Sequence, residues 1–176
     1  YGKYMLSARP FDQVADEDVT RQLRKVFDTE RQFYAFVALK LVRKKNQTDK
    51  RVLQVEDMGA GSKKSRSNER SVKSITDSAV KPRKYAELMF RLVESFQSEV
   101  VVELGTSLGL TTGYLSKANK QGKVFTMEGA AEIAKVAREN FRLMKLNNVT
   151  LIEGNFDNTL PDLLSLSLIH ISEPTR

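Results

Sequence analysis

Hydrophobic residues recur every three or four positions near the start of the chain, which is the spacing of an amphipathic helix. This pattern predicts one helix over residues 13–27 and a second from about Glu30 to Lys45. Thr29 and Gln32 are spaced as a capping box for the second helix, because the hydroxyl can accept from the third helical amide while the glutamine reaches back. Both helices are interpreted as scaffold.

A short strand and two more helices are predicted next. Residues 52–55 form a strand-like run, and residues 57–70 combine glycines with basic and serine residues, a composition typical of a loop. Helices are predicted over about 69–80 and from Lys81-Pro82 onward, since proline is tolerated in a first turn. Residues 1–99 are therefore expected to be a helical extension with a glycine-rich, basic loop at 57–70.

From Val100 the pattern changes to short apolar runs that alternate with helical ones. The predicted order is strand, helix, strand, helix, strand, over Val100–Leu104, 110–119, Lys123–Met127, Ala130–Leu146 and Val149–Ile152. The valine-rich first strand is typical of one buried on both faces. This order implies parallel pairing with right-handed crossovers. The expected fold is α/β: a Rossmann-like doubly wound sheet, incomplete, with its first three strands in residues 100–165.

Composition narrows the class of protein. The chain has 176 residues, of which 40% are hydrophobic and 29% charged, and its apolar runs are shorter than the roughly 20 residues of a membrane-spanning helix. There is no cysteine, which excludes disulfides and thiolate metal sites and suits a reducing, cytoplasmic setting. The single histidine, His170, lies near the end of the chain, so histidine catalysis is not expected.

The net charge of +7 comes from the first part of the chain. Residues 1–99 hold 21 Lys and Arg against 14 Asp and Glu, whereas residues 100–165 hold seven of each. Basic runs at 43–45 and at Lys63, Lys64 and Arg66 would suit an anionic partner. No aromatic residues interleave with them as a nucleic-acid stacking surface requires. Solvated basic surface is the favoured interpretation, and a nucleic-acid-binding module stays open as an alternative.

The candidate site lies where the predicted strands end, because ligands of such domains bind beyond the carboxyl ends of the strands. The first strand leads into a loop bounded by Gly105 and Gly109, whose glycines permit close approach of the backbone to a ligand. The second strand ends at Glu128, which suits the two hydroxyls of a ribose. The third strand leads into Asn155 and Phe156, a polar and aromatic niche. Together these ends predict a nucleoside-type ligand.

The spacing E-x-G-x-x-x-G from Glu103 to Gly109 narrows the ligand further. A dinucleotide fingerprint has a middle glycine that is missing here, and a carboxylate at Glu103 repels a diphosphate but suits an ammonium group. No lysine follows Gly109, which excludes a P-loop. A nicotinamide-dependent oxidoreductase remains the rival from another enzyme class.

Residues 100–165 resemble the first half of a class I S-adenosylmethionine-dependent methyltransferase, most closely the O-methyltransferase-like group. VVELGTSLG resembles its motif I, and the likeness extends through VFTMEGA and NVTLIEGNFDNTLPDLL. EDMGAGS and KPRKYAELMFRLV resemble, less specifically, bacterial members with a helical N-terminal extension.

The resemblance implies a donor-binding role for nine residues. Those along the methionine moiety would be Glu103, Gly105, Thr106, Ser107 and Gly109, with Thr111 near its carboxylate. Glu128 would hold the ribose, and Asn155 and Phe156 would border the adenine. Many relatives have aspartate where Asn155 stands, which weakens that contact. A second motif-I-like stretch, Gly59-Ala60-Gly61, is interpreted as a turn because no apolar helix follows it, with a lid or acceptor contact near the active site as the alternative.

The implied activity is methyl transfer to a small-molecule acceptor, with S-adenosylmethionine as the donor. In the family, acceptor contacts, the general base and any divalent metal belong to later strands. The resemblance therefore implies no catalytic or metal-ligating residue within this chain. A metal therefore stays open for the full-length protein, and residues 1–165 are expected to bind the donor without turnover.

Both ends of the chain look cut. The first residue is Tyr1 rather than methionine, and no signal-peptide pattern follows. Residues 166–176, LSLIHISEPTR, resemble the translation of a transposase adapter used in sequencing libraries. They are expected to be a non-native tail, with the natural protein continuing differently beyond Ser165.

Overall fold

The fold, in a computed structural model that describes residues 16–55 and 68–171, is α/β. The helices are α1 Glu17–Phe27, α2 Ala35–Thr48, α3 Val72–Ser78, α4 Arg83–Phe96, α5 Leu110–Ala118, α6 Ala131–Met144 and α7 Phe156–Ile171. The strands are β1 Val52–Gln54, β2 Glu69–Ser71, β3 Val100–Leu104, β4 Lys123–Glu128 and β5 Val149–Glu153. The glycine-rich stretch at 59–61 and the basic residues at 63–66 lie outside the described residues.

Helix α1 forms where the hydrophobic spacing predicts it. Asp16 caps it by accepting from the amides of Asp18 and Val19 at 2.9 and 3.1 Å, and its acidic first turn and basic last turn both suit the helix dipole. Val26 is its buried residue.

The predicted capping box of the second helix is wrong, because α2 begins only at Ala35 and its preceding residue makes no side-chain cap. The Gln32 amide instead donates to the Glu30 carbonyl. The non-helical segment allows the Phe33 ring to pack 4.6 Å from that of Phe90, between ring centroids. Aromatic packing between elements therefore overrides the local capping signal.

The helix predicted from residue 69 begins three residues later. Glu69–Ser71 is instead strand β2, which pairs antiparallel with β1 in the register Leu53 opposite Arg70. The Ser71 hydroxyl then accepts from the amide of Ser74 at 3.1 Å and caps α3.

The main sheet is parallel and has the strand order β3-β4-β5 within the described residues. Register partners include Glu103 opposite Thr126 and Glu128 opposite Glu153. Helices α5 and α6 connect the strands, as the alternating pattern predicts. The prediction of an incomplete Rossmann-like α/β fold is confirmed.

The prediction that β3 is buried on both faces is wrong for this structure. Val100, Val102 and Leu104 are 50%, 39% and 52% exposed. The reason is that β3 lies at an edge of the sheet, whereas the central strand β4 buries Val124, Thr126 and Met127.

Helices from both sides of residue 99 share one hydrophobic core. Phe36 and Leu39 of α2 pack in the same cluster as Tyr114 of α5 and Phe141 and Met144 of α6. The helical extension therefore supports the layer of helices that carries the glycine loop.

Helix α7 runs to Ile171, so part of the predicted non-native tail continues a helix. Over the described ranges, every helix is too short or too polar to cross a membrane.

Candidate functional site

The loop between β3 and α5 is a tight turn with three residues at positive φ. These are Gly105, Ser107 and Gly109, at +90°, +49° and +72°. The amides of Gly105 and Thr106 both donate to the Met127 carbonyl, at 3.0 and 2.8 Å, which fastens the loop to the end of β4. The loop is thus anchored to the neighbouring strand before α5 begins.

The two glycines of this loop have different surroundings. A Cβ added to Gly105 would meet no atom within 4 Å, so its backbone borders open space. A Cβ added to Gly109 would lie 2.4 Å from Cε1 of Phe141. Gly105 leaves room for a ligand, whereas Gly109 allows α5 to pack closely against α6.

The carboxylate of Glu103 is held by threonine hydroxyls. Its Oε2 accepts from Thr112 at 2.5 Å and from Thr126 at 2.7 Å. Burial raises the pKa of this carboxyl, while the two hydroxyls and the charge of Lys81 act in the opposite direction and Glu128 adds to the rise. A carboxylate in such a place is suited to a cationic partner.

Glu128 links the loop to the start of the next helix. Its Oε2 accepts from the amide of Ser107 at 2.8 Å, and its Oε1 accepts from that of Ala130 at 3.0 Å. Both oxygens therefore bind backbone amides, and each keeps a second lone pair. The side chain is partly exposed.

A cavity of about 550 Å³ opens beside the loop. Five of the nine predicted donor-binding residues line it, namely Glu103, Gly105, Thr106, Ser107 and Thr111. Ser107 Oγ is buried and finds no hydrogen-bond partner among the described residues. The cavity thus presents the Glu103 carboxyl group beside open backbone, whereas Ser107 Oγ is closed off from it.

The other four predicted residues, Gly109, Glu128, Asn155 and Phe156, do not line this cavity. Asn155 Oδ1 accepts from the amide of Asp157 at 2.9 Å, and Phe156 is the first residue of α7. The Gly154 amide donates to the Glu128 carbonyl at 3.0 Å, so the ends of β4 and β5 are directly linked.

The opposite wall of the cavity was not predicted from the sequence. It consists of the turn between α3 and α4 and one side of α4, namely Ala79, Val80, Lys81, Met89, Leu92 and Val93. Arg43 of α2 donates to the Lys81 carbonyl at 2.9 Å and supports this turn. The nearness of Lys81 to Glu103 depends on how α4 packs, and local spacing carries no signal of it.

Comparisons with known proteins support the fold. No protein-family model matches the sequence, and no curated protein does either. The structure resembles the S-adenosylhomocysteine-bound methyltransferase PaMTH1 of Podospora anserina, with a TM-score of 0.54 and 16% identity, over 89% of this chain and 56% of that one.

Two further solved structures are similar with lower scores. The O-methyltransferase TomG of Streptomyces achromogenes, solved with S-adenosylmethionine, matches 48% of this chain and 39% of its own at a TM-score of 0.47 and 22% identity. An O-methyltransferase of Bacillus cereus, solved with S-adenosylhomocysteine, matches 88% of this chain and 56% of its own, at a TM-score of 0.45 and 18% identity. This chain therefore spans about half or less of these proteins, and it shares the fold of the Podospora methyltransferase.

Proposed function

We propose that this chain is the donor-binding part of an S-adenosylmethionine-dependent methyltransferase that acts on a small-molecule acceptor, by O-methylation. The observation that carries this proposal is the cavity beside Gly105, where the carboxylate of Glu103 and open backbone meet. Its volume of about 550 Å³ lies within the range of about 300 to 1,000 Å³ that is typical of small-molecule sites.

The residues at the cavity suit the methionine end of the donor. Glu103 would accept from the ammonium group through Oε1, since Oε2 already binds two threonine hydroxyls. Ser107 lines the cavity, and Thr111 lies in the first turn of α5, where amides favour the donor's carboxylate. The space beside Gly105 admits the chain that joins these groups.

The ends of β4 and β5 suit the nucleoside end of the donor. Glu128 would accept from the ribose hydroxyls with its remaining lone pairs while it holds the Ser107 amide. Asn155 and Phe156 would border the adenine, although the Asn155 side chain also accepts from the Asp157 amide. The link from Gly154 to the Glu128 carbonyl keeps these two strand ends together.

The donor supplies an electrophilic methyl group on a sulfonium, and the transfer is an in-line displacement at carbon. The protein's part is then orientation, with proton removal from the acceptor where needed. The loop, Glu103 and Glu128 would fix the donor. The described residues form no group of three or more His, Asp or Glu that could hold a metal ion.

Calorimetric titration of the full chain with S-adenosylhomocysteine and with NAD tests the proposal. We expect saturable binding of S-adenosylhomocysteine that Glu103→Gln weakens about tenfold, because a charge-assisted hydrogen bond contributes about 1.5 to 3 kcal/mol. Glu139→Gln, on the solvent side of α6, is the matched control and should bind as the unmodified chain does. Tighter binding of NAD would overturn the proposal in favour of an oxidoreductase.

A further inference from the structure

A chain of hydroxyl groups crosses from the glycine loop to the carboxylate of Glu103. Thr106 Oγ1 lies 2.7 Å from Thr126 Oγ1, and Thr126 donates to Glu103 Oε2 at 2.7 Å. Thr112 reaches the same Oε2 from α5, at 2.5 Å. Thr106, Thr112 and Thr126 are all buried.

The pairing of β3 and β4 produces this contact. Glu103 and Thr126 are register partners, so their side chains emerge from adjacent strands on the same face of the sheet. Thr126 lies on the central strand and is 0% exposed, and it is not among the residues that line the cavity. It therefore reaches a ligand only through its neighbours.

The directions of these hydrogen bonds follow from the number of protons. A hydroxyl has a single proton, and that of Thr126 is committed to the carboxylate of Glu103. Thr126 must then accept from Thr106, which fixes the hydroxyl of Thr106 as the donor. The loop and the carboxylate are thus oriented by one central threonine.

The two oxygens of Glu103 are used differently. Oε2 accepts from two hydroxyls, whereas Oε1 accepts from no described residue. Because Glu103 lines the cavity, Oε1 is the oxygen left for a ligand.

We propose that Thr126 is a positioning residue that holds Glu103 by Oε2, directs Oε1 to the cavity and ties the glycine loop to that arrangement. The effect on a ligand rests on the proposed function. The arrangement of the hydroxyls does not, because the pKa of Glu103 in the ligand-free chain reports on it independently.

The charge on Glu103 is the readout that separates positioning from simple packing. The charged groups that act on it are Lys81, from the turn before α4, and Glu128, from the end of β4. Hydrogen bonds from Thr112 and Thr126 lower the pKa of the carboxyl, against the larger effect of burial. Loss of the Thr126 hydroxyl should therefore raise this pKa further, whereas Thr126→Ser, which loses only the methyl group, should leave it close to that of the unmodified chain.

The experiment compares Thr126→Val with Thr126→Ser in the full chain. Valine keeps the shape and removes the hydroxyl, and serine restores the hydroxyl. Thr150→Val, at an exposed position of β5, is the control. The ligand-free pKa of Glu103 is measured by carbon NMR, with the signal assigned through its loss in Glu103→Gln, and S-adenosylhomocysteine affinity is measured by calorimetry.

We expect Thr126→Val to raise the pKa of Glu103 and to weaken S-adenosylhomocysteine binding about tenfold, with Thr126→Ser restoring both and Thr150→Val changing neither. An unchanged pKa in Thr126→Val would overturn the inference. Should that variant not fold, Thr126→Ala removes the same hydroxyl with a smaller side chain and must raise the same pKa. A raised pKa in a chain that does not bind S-adenosylhomocysteine would uphold the hydroxyl arrangement and refute the proposed function instead.

Discussion

Replacement of Gly109 by alanine should destabilise the fold far more than the same change at Gly105. Both residues have positive φ, +72° and +90°, so each alanine incurs the left-handed strain of about 1 to 2 kcal/mol. Only at Gly109 does the new Cβ meet a side chain, with Phe141 atoms at 2.4, 3.1 and 3.2 Å.

Overpacking of a core adds about 1 to 3 kcal/mol to this strain. Gly109→Ala should therefore lower the free energy of unfolding by about 2 to 5 kcal/mol and Gly105→Ala by about 1 to 2 kcal/mol. In a chain of this size each kcal/mol corresponds to about 2 to 4 °C in Tm. Urea unfolding followed by circular dichroism measures both changes.

A second substitution tests the cause. Phe141→Leu removes the ring that meets the new Cβ, so Gly109→Ala should be less destabilising in that background than in the unmodified chain. Equal losses at Gly105 and Gly109, or a double-mutant cycle with no coupling, would refute the close contact.

Two further predictions concern charge and polarity away from the cavity. Arg51 binds both Asp49 and Glu139, at 2.8 and 2.9 Å, and its hydrogen bonds hold the pKa of each carboxyl below its usual value. The folded state therefore binds fewer protons, so Arg51→Ala should cost about 0.5 to 1 kcal/mol at pH 7, and this loss should shrink as the pH falls below about 4. If urea unfolding showed that Arg51→Ala lowers the unfolding free energy by the same amount at pH 3 as at pH 7, the ion pairs would be contradicted. Asn46 is 0% exposed, and both its amide atoms lack a partner among the described residues. Asn46→Leu should therefore raise the unfolding free energy by about 1 to 3 kcal/mol, and a loss of stability would show that the amide is satisfied.

The strand and loop pattern of residues 100–155 could be predicted because each strand is a compact apolar run and each helix has its own period. The loop at Gly105 and the acids at Glu103 and Glu128 stand where those strands end. The sequence therefore places them together, at the carboxyl ends of the parallel strands.

The contacts that define the cavity could not be predicted in the same way. The hydrogen bond from Thr126 to Glu103 depends on the register of β3 and β4, which brings together two residues 23 positions apart in the chain. The turn at Lys81 reaches the cavity only through the packing of α4. Strand β1 coincides with the strand-like run at 52–55, whereas β2 has three residues, too few for an alternating pattern to be recognised.

The central claim is that the cavity beside the glycine loop holds the methyl donor. Titration of the nitrogen-labelled full chain with S-adenosylhomocysteine, followed by amide NMR, tests it most directly. We expect saturable shifts concentrated at Gly105, Ser107 and Thr111, which line the cavity, and at Ala130, whose amide donates to Glu128. Absence of binding, or shifts confined to residues far from this loop, would contradict it.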